Sequence, residues 1–264
     1  MLHLDEIFYN PAKHALKDGK KLLGAWLQTA SPFAAEIFSK AGLDVLIIDM
    51  EHGPNDILSL IEQLRAIQGF HSVPFVRAPW NDPVIIKRIL DAGAYGVLIP
   101  SVSTVEEARA AVAACKYPPM GIRGIAPSPR APGYGMNSRN YLDHANDEVL
   151  VMTAVETPSA VENLDEMLKV EGLDGIFIGP MDLATSMGHF CDPDHPEVQE
   201  AIHTIEAKVN ASGKFLASIA GNMDIAKAKF DAGYQLVVAM ADGSTLGNAA
   251  RKNVDTFHSR SEEH

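Results

Sequence analysis

The sequence predicts an α/β fold, a single (β/α)8 TIM-barrel domain that spans residues 1–257. Eight short apolar segments alternate with amphipathic helical patterns, and no shift in composition marks a linker between domains. Eight such units in a chain of 264 residues match the size of this barrel, which is typically about 250 residues. A helix-ending glycine precedes the second, fourth, sixth and eighth apolar segments, at Gly42, Gly93, Gly172 and Gly233. The recurrence of this glycine before every second strand favours a closed barrel over an open sheet.

The predicted elements follow one another without a break. Strands are predicted at 22–28, 45–49, 73–77, 96–100, 149–155, 175–178, 215–219 and 236–240. A lead helix is predicted over 6–18, and further helices over 32–40, 55–67 and 83–91. Ser31 and Pro32 open one helix, and Thr104 with Glu107 forms the pattern of a capping box for another.

Two segments depart from the alternation of strands and helices. Residues 117–140 are rich in proline and glycine, and a loop of this length inside a compact domain is usually functional or disordered. Residues 258–264 are polar and are predicted to form a flexible C-terminal tail.

Composition excludes several classes of partner. The formal net charge of −12 argues against nucleic acids and anionic membranes, and no apolar run is long enough to span a bilayer. The N-terminus lacks the apolar core of a signal peptide. The two cysteines, Cys115 and Cys191, form no disulfide framework, so a reducing cytoplasm is expected. No cysteine–histidine cluster has the spacing of a zinc site, and the histidines other than His52 are interpreted as surface residues.

Chemistry in such a barrel collects on the loops that follow the strands. Glu156 and Asp182 come directly after two neighbouring predicted strands, with no lysine or arginine between them. Two converging carboxylates suit a hard divalent cation such as Mg²⁺. The alternative is that each carboxylate only interacts with the N-terminus of the helix that follows it.

Three further residues are candidates, each with a plain structural alternative. Arg77 ends its strand and suits a substrate carboxylate or a developing enolate, or else pairs with an acid such as Glu51. His52 is a candidate general base, or a loop histidine that only bonds the backbone. Asp91 lies in a last helical turn, as do other acids of this chain, and its position alone indicates a structural role.

Two other mechanisms are disfavoured. No lysine ends a predicted strand, as a Schiff-base enzyme would require. Asp242 follows the last strand and would repel a substrate phosphate there. The remaining set of a metal-bound anion, an arginine and a base fits enolate chemistry on a small oxo acid.

Five motifs, quoted in order along the chain, resemble the HpcH/HpaI family of class II pyruvate aldolases, which includes 4-hydroxy-2-oxoheptane-1,7-dioate aldolase. They are DMEHGP at 49–54, VRAPWNDP at 76–83, YPPMGIRG at 117–124, ETPSAVENL at 156–164 and GIFIGPMDLATSMG at 175–188. The likeness covers about residues 20–257, and the set as a whole is highly specific.

The resemblance implies a TIM barrel whose C-terminal helix is exchanged between subunits, in a homo-hexamer built as a trimer of dimers. It implies Mg²⁺, Mn²⁺ or Co²⁺ on Glu156 and Asp182, and a substrate carboxylate held by backbone amides near Gly179, Met181 and Asp182. It also implies that Arg77 stabilises the enolate and that His52 is the base.

The same resemblance gives Asp91 and Arg123 functional roles. Asp91 would orient His52, against the structural role that its position indicates. Arg123 would face the aldehyde part of the substrate or a subunit contact. Met181 stands where the family more often has a small residue, which would narrow the pocket.

The predicted function is therefore reversible, metal-dependent cleavage of a 4-hydroxy-2-oxo acid to pyruvate and an aldehyde, a lyase reaction suited to aromatic or sugar-acid catabolism. One alternative is a lyase for CoA thioesters of the malyl or citramalyl type, which would need a basic groove for CoA. Another is a non-catalytic barrel that binds oxo acids.

Overall fold

A computed structural model describes residues 7–261 of the chain, without the side chains of residues 260 and 261. Eight parallel strands form a closed barrel in chain order, with β8 pairing back onto β1. The strands are β1 Leu22–Leu27, β2 Val45–Asp49, β3 Val73–Arg77, β4 Gly96–Ile99, β5 Leu150–Val155, β6 Gly175–Ile178, β7 Phe215–Ile219 and β8 Leu236–Ala241. The predicted (β/α)8 barrel and its eight strands are confirmed.

Helices surround the barrel and one of them precedes it. They are α1 Pro11–Lys17, α2 Pro32–Lys40, α3 Ile57–Ile67, α4 Pro83–Ala92, α5 Val105–Cys115, α6 Ser138–Leu142, α7 Ala145–Glu148, α8 Pro158–Met167, α9 Pro180–Ser186, α10 Pro196–Ser212, α11 Met223–Asp231 and α12 Asp242–Ser261. None of these described helices combines the length and the apolar character that crossing a bilayer requires. The predicted lead helix is the shorter α1, and the start of that prediction at residue 6 lies outside the described residues.

Side-chain caps set the starts of several helices. The Ser31 hydroxyl accepts the amide N–H of Ala34 at the start of α2. Thr104 and Glu107 form the capping box that their spacing predicts for α5, each side chain accepting a backbone N–H of the other residue. These caps satisfy amide groups that the first helical turn leaves without an acceptor.

The core has two parts, one between the sheet and the helices and one inside the barrel. Large side chains fill the barrel interior, among them Phe75 and Phe215. Each of these rings lies against a glycine of the adjacent strand. A Cβ at Gly96 would come within 2.8 Å of the Phe75 ring, and one at Gly175 within 2.5 Å of the Phe215 ring. Glycine at these two positions makes room for the rings.

The barrel has two ends, named here the mouth and the floor. The mouth lies at the C-terminal ends of the strands, and the floor at their N-terminal ends, where α1 lies. Buried lysines pair there with acceptors of the strands and loops. Lys13 Nζ lies 3.0 Å from Asp174, and both Lys13 Nζ and Lys116 Nζ donate to the carbonyl of Val149.

The segment predicted as a long loop, residues 117–140, contains a short 3-10 helix at Gly133–Gly135 and the start of α6. Two short helices, α6 and α7, connect this segment to the start of β5, and neither was predicted. Their residues are polar and the helices are only 5 and 4 residues long, too short for a hydrophobic period to show in the sequence.

The last helix, α12, is exposed along most of its length. Apolar side chains such as Leu246, Val254 and Phe257 are each more than half exposed. The helix continues to Ser261, so residues 258–261 of the predicted tail are helical, and residues 262–264 lie outside the described residues. The expected exchange of this helix between subunits stays a prediction.

Candidate active site

A buried ion pair joins the ends of two neighbouring strands at the mouth. Asp49 and Arg77 lie side by side as the last residues of β2 and β3. Arg77 donates from Nε to Asp49 Oδ1 at 2.9 Å and from Nη2 to Asp49 Oδ2 at 2.6 Å. Burial disfavours the charge of Asp49, but the hydrogen bonds and charge of Arg77 outweigh it and hold the pKa of Asp49 below its ordinary value. This two-point contact fixes the plane of the guanidinium.

The rest of the Arg77 side chain is held from two other directions. Its guanidinium carbon lies 4.3 Å from the centre of the Trp26 ring, and its Nη1 lies 3.1 Å from Glu51 Oε2. The guanidinium has five N–H groups, and its hydrogen bonds to Asp49 use two of them. Arg77 is therefore both paired, as the structural alternative expected, and able to bind an anion at the mouth.

Glu51 is a second acid at this edge of the mouth. Its Oε2 is buried and, although it is close to Arg77 Nη1, it makes no hydrogen bond of acceptable geometry. Burial raises the pKa of Glu51, against the lowering effect of Arg77. A buried carboxylate oxygen without a hydrogen bond is costly.

Glu156 follows β5, as predicted, and is enclosed by two backbone segments. Its Oε2 accepts the N–H of Ser101 at 3.1 Å. Ser101 has a φ of +55°, a backbone conformation uncommon for a residue other than glycine, and such strain is frequent at functional sites. On the other side a Cβ at Gly179 would lie 2.8 Å from Glu156 Oε1, so a larger residue there would displace the Glu156 carboxylate.

The charge state of Glu156 depends on its surroundings. Burial raises the pKa of this carboxyl to about 7, and the negative charges of Asp182 and Glu51 add to the shift. Asp182 lies in the first turn of α9 and is exposed to solvent, as is Met181 before it. The three acids at the mouth thus repel one another, with Arg77 as the cation among them.

His52 also lies at the mouth, and its ring is accessible to solvent. Its backbone N–H donates to Asp49 Oδ1, which fixes the start of the loop after β2. Its side chain is 59% exposed, and its Nε2 lies 3.8 Å from Glu51 Oε2, beyond hydrogen-bonding distance.

The two other predicted site residues lie together elsewhere. Arg123 donates from Nη2 to Asp91 Oδ1 at 2.8 Å and from Nη1 to the Tyr141 hydroxyl at 3.1 Å, and its guanidinium stacks on Tyr117. Asp91 ends α4 and Arg123 follows α5, so both lie toward the floor. Within one chain they are at the opposite end of the barrel from His52, and the structure pairs Asp91 with Arg123 rather than with His52.

Comparison with known proteins decides the family. A profile of the HpcH/HpaI aldolase/citrate lyase family matches residues 22–249. The chain belongs to this family.

Relatives of the HpcH/HpaI family match nearly the whole chain. A 4-hydroxy-2-oxo-heptane-1,7-dioate aldolase from Escherichia coli is 42% identical over 241 residues, which cover 91% of this chain and 92% of that protein. The crystal structure of an HpcH/HpaI aldolase/citrate lyase family protein from Burkholderia cenocepacia J2315 has a TM-score of 0.91 and 38% identity, covering 94% of this chain and 99% of that one. The citrate synthase SbnG has a TM-score of 0.84 and 27% identity, covering 95% of this chain and 98% of that one.

The donor set of this HpcH/HpaI protein fits a hard divalent cation. Glu156 keeps Oε1 free of hydrogen bonds within the described residues, and no hydrogen bond there engages the Asp182 carboxylate. Glu51 adds the buried Oε2 described above. Carboxylate oxygens and water are the ligands that Mg²⁺ and Mn²⁺ prefer. A cation between Glu156 and Asp182 would also remove the repulsion that raises the pKa of Glu156.

Two supporting residues had no role in the sequence-based prediction. Asp49 was only the first residue of the motif DMEHGP, and Ser101 belonged to none of the five motifs. A signal for Asp49 does exist, because VLIID and VPFVR are strands of equal length that end in opposite charges. No sequence signal indicates the left-handed backbone of Ser101, since serine seldom adopts it.

Proposed function

We propose that this chain is a divalent-metal-dependent aldolase that reversibly cleaves a 4-hydroxy-2-oxo acid to pyruvate and an aldehyde. The observation that carries the proposal is the pair of carboxylates, Glu156 and Asp182, beside the anchored guanidinium of Arg77 at the mouth. The relative from Escherichia coli, named a 4-hydroxy-2-oxo-heptane-1,7-dioate aldolase, supports this class of substrate.

The metal would be Mg²⁺, Mn²⁺ or Co²⁺, with Glu156 and Asp182 as its protein ligands. When bound, it would act as a Lewis acid on the 2-oxo group of the substrate. The chain would hold both carboxylates in their ionised form. The N–H of Ser101 supports this by donating to Glu156 Oε2.

Arg77 would stabilise the negative charge that develops on the 2-oxo oxygen as the C3–C4 bond breaks. Asp49 and Trp26 fix the orientation of its guanidinium before the substrate arrives. Such preorganised donors cost no reorganisation during the reaction.

His52 would accept the proton of the C4 hydroxyl, directly or through water. Its ring is exposed at the mouth and has no hydrogen-bonding partner among the described residues that would compete for it. Asp91 would orient this ring in the assembled protein. Because Asp91 lies at the floor of its own chain, that contact would have to come from a neighbouring subunit.

The substrate carboxylate would lie against the start of α9. The amides of Met181 and Asp182 belong to its first turn, where helical N–H groups have no acceptor within the helix. The amide of Gly179 instead donates to the carbonyl of Val155. The side chain of Met181 is 44% exposed beside these amides and would limit the size of the substrate.

Assembly and cellular context complete the proposal. We expect a homo-hexamer, a trimer of dimers, in which α12 covers the barrel of a neighbouring subunit and buries its apolar side chains. In that assembly Arg123 would support a subunit contact through its pair with Asp91. The enzyme would work in the cytoplasm in aromatic or sugar-acid catabolism.

The first test is exchange of the methyl protons of pyruvate for deuterium, followed by proton NMR in D₂O. The metal-free protein is incubated with pyruvate, with and without Mg²⁺ or Mn²⁺. Metal-dependent loss of the methyl signal, absent in Glu156→Ala, is expected, because enolisation needs only the pyruvate half of the substrate. Folded protein that gives no exchange with any divalent metal would overturn the proposal and leave a barrel that only binds oxo acids.

The structure offers little support for a CoA-thioester lyase. A basic groove for CoA would draw on the three arginines of residues 117–140. Arg123 is buried in its pair with Asp91, Arg130 donates to the carbonyl of Ala92, and Arg139 pairs with Asp143 on the surface. Saturable cleavage of a malyl or citramalyl thioester would reverse this ranking.

A further inference from the structure

A second group of metal-binding side chains lies on the loop between α9 and α10. His189, His195 and Glu197 each place one donor atom within 4.8 Å of the others. His189 Nε2 lies 2.9 Å from Glu197 Oε2, and the two imidazole rings stack with their centres 3.5 Å apart and their planes 15° apart. Both rings are partly buried, whereas Glu197 is exposed.

Hydrogen bonds order the backbone of the loop that brings the two histidines together. The N–H of His189 donates to the carbonyl of Ala184, and the N–H of Asp192 donates to the carbonyl of His189. The side chain of Gln199 donates to the carbonyl of Pro193 at 2.7 Å. A loop whose backbone is already ordered loses less entropy when an ion binds to it.

We propose that His189, His195 and Glu197 form a second metal site, which binds a borderline transition-metal ion such as Zn²⁺. Two imidazole nitrogens and one carboxylate oxygen, with water in the fourth position, form a donor set typical of Zn²⁺ and unsuited to Mg²⁺. Zinc–nitrogen distances of about 2.0–2.1 Å require the three donors to come closer together and the two stacked rings to turn until their nitrogen lone pairs converge on the ion. The site thus differs in chemistry from the all-oxygen pair Glu156 and Asp182.

Sequence spacing did not reveal this site, since the two histidines were interpreted as surface residues. The two are six positions apart, without a helical or paired-cysteine spacing, and the loop alone brings their rings together. The exposed Cys191 lies in the same loop but is not among the three donors.

Metal binding would break one hydrogen bond of the metal-free protein, and the loss of that bond can be detected. His195 Nδ1 accepts the N–H of Glu197 at 3.3 Å, as the cap of α10. Binding through Nδ1 displaces this bond, and binding through Nε2 moves the ring proton onto Nδ1 and removes the acceptor. In either case the Glu197 amide loses its partner, so its NMR signal should shift when the ion binds.

The bound ion would join the end of α9 to the first turn of α10. The start of α9 carries Asp182, and Ser186 near its end donates to the carbonyl of Glu156 at 2.8 Å. The second site therefore lies close in sequence to the residues of the mouth and would stabilise the loop beside them.

The test counts Zn²⁺ bound to the full-length protein after dialysis against micromolar Zn²⁺. A Glu156→Ala/Asp182→Ala background removes the first site. We expect this variant to retain one Zn²⁺ per chain and no Mg²⁺, with a rise in melting temperature on Zn²⁺ binding. Adding His189→Ala should lower the Zn²⁺ affinity by more than about tenfold.

Two matched controls make the result specific. Cys191→Ser removes the exposed thiol of the same loop, and His203→Ala removes an exposed histidine of α10 outside the cluster. Both should retain the ion.

Three results would overturn the site: no Zn²⁺ on the background variant, unchanged affinity after His189→Ala, or loss of the ion with Cys191→Ser. If the background variant does not fold, the same count is made on the natural sequence, where His189→Ala should lower the Zn²⁺ bound by one ion per chain. His189→Gln, which keeps a donor for Glu197, replaces His189→Ala if that variant unfolds.

Discussion

The mouth and the floor of the barrel both contain buried charge, but they satisfy it differently. At the floor, Lys13 pairs with Asp174, Lys116 donates to the carbonyls of Asn146 and Val149, and Arg123 pairs with Asp91. At the mouth the acids outnumber the cations, and carboxylate oxygens remain without hydrogen bonds. Among these floor groups Arg123 Nε lacks a hydrogen bond within the described chain, whereas at the mouth Glu51 Oε2 and Glu156 Oε1 lack one and, as neighbouring negative charges, would be stabilised by a bound cation.

The pKa shifts separate the two ends in the same way. Burial lowers the pKa of Lys116 at the floor to about 8, because its acceptors are neutral carbonyl groups. Burial and like charge together raise the pKa of Glu156 at the mouth to about 7. The first shift comes from burial and the neighbouring positive charge of Lys13, while a bound cation would counteract the second. The comparison therefore predicts that floor variants lose stability and mouth variants lose function.

The largest effect on stability is expected from Asp174→Ala at the floor. Asp174 accepts the N–H of Val151 at 2.8 Å and pairs with the buried Lys13. Its removal leaves buried cations without a counter-charge and should lower the free energy of unfolding by about 3–5 kcal/mol. Urea unfolding followed by circular dichroism measures it.

The matched control is Asp182→Ala at the mouth. It removes an exposed acid from a repulsive group, so the metal-free protein should keep its stability while losing metal binding. Equal destabilisation by the two variants would contradict the distinction between the ends.

Arg77→Lys is expected to cause the next largest effect, on catalysis. Lysine keeps a positive charge for Asp49 but loses the two-point contact that fixes the donor toward the mouth. Loss of one preorganised donor lowers the rate by about 10²–10³, or about 3–4 kcal/mol. The measurement is kcat/KM for aldol cleavage, and a value within about threefold of the natural protein would remove Arg77 from the mechanism.

The pH dependence of the metal-free protein tests the mouth directly. The pKa of Glu156 is about 7 in the folded chain against an ordinary 4.5, so between these values the folded state binds a proton that the unfolded state does not. Stability should therefore fall as pH rises from 4.5 to 7, by ~3 kcal/mol at most.

Thermal unfolding of the metal-free protein across this range measures the pH effect. Glu156→Gln should flatten most of the slope, leaving a smaller part from Glu51, whose pKa is also raised. Metal affinity should fall as pH drops below 7, because protons compete for Glu156. A slope unchanged by Glu156→Gln would place the titrating group elsewhere.

Much of the fold was readable from the sequence because the barrel repeats one local pattern. Apolar strands, capped helix starts such as Thr104 and the position of Glu156 after β5 all follow from neighbours in the chain. The missed features depend on residues far apart in sequence. The pairing of Arg123 with Asp91 spans 32 positions, and the contact of Asp49 with Arg77 spans 28.

Asp91 shows where residue-based reasoning and the resemblance diverge. Its place in the last turn of α4 indicated a structural role, and within one chain it indeed binds Arg123. The role implied by the resemblance, orientation of His52, needs a partner subunit and remains a prediction. Spacing along one chain carries no information about contacts that form only between chains.

The smallest effect is expected from Thr104→Ala, which tests whether every polar group near the mouth is functional. Thr104 follows β4 and caps α5, with its hydroxyl accepting the N–H of Glu107 and the Glu107 carboxylate accepting the N–H groups of Ser103 and Thr104. Loss of the cap should cost about 1 kcal/mol of stability and leave kcat/KM unchanged. Because the polar groups of this cap already have hydrogen-bonding partners, they resemble the paired groups of the floor, although they lie at the mouth. If activity falls by more than the amount of folded protein, Thr104 has a functional role although its hydrogen bonds are complete. Complete hydrogen bonding would then not distinguish structural from functional residues at the mouth.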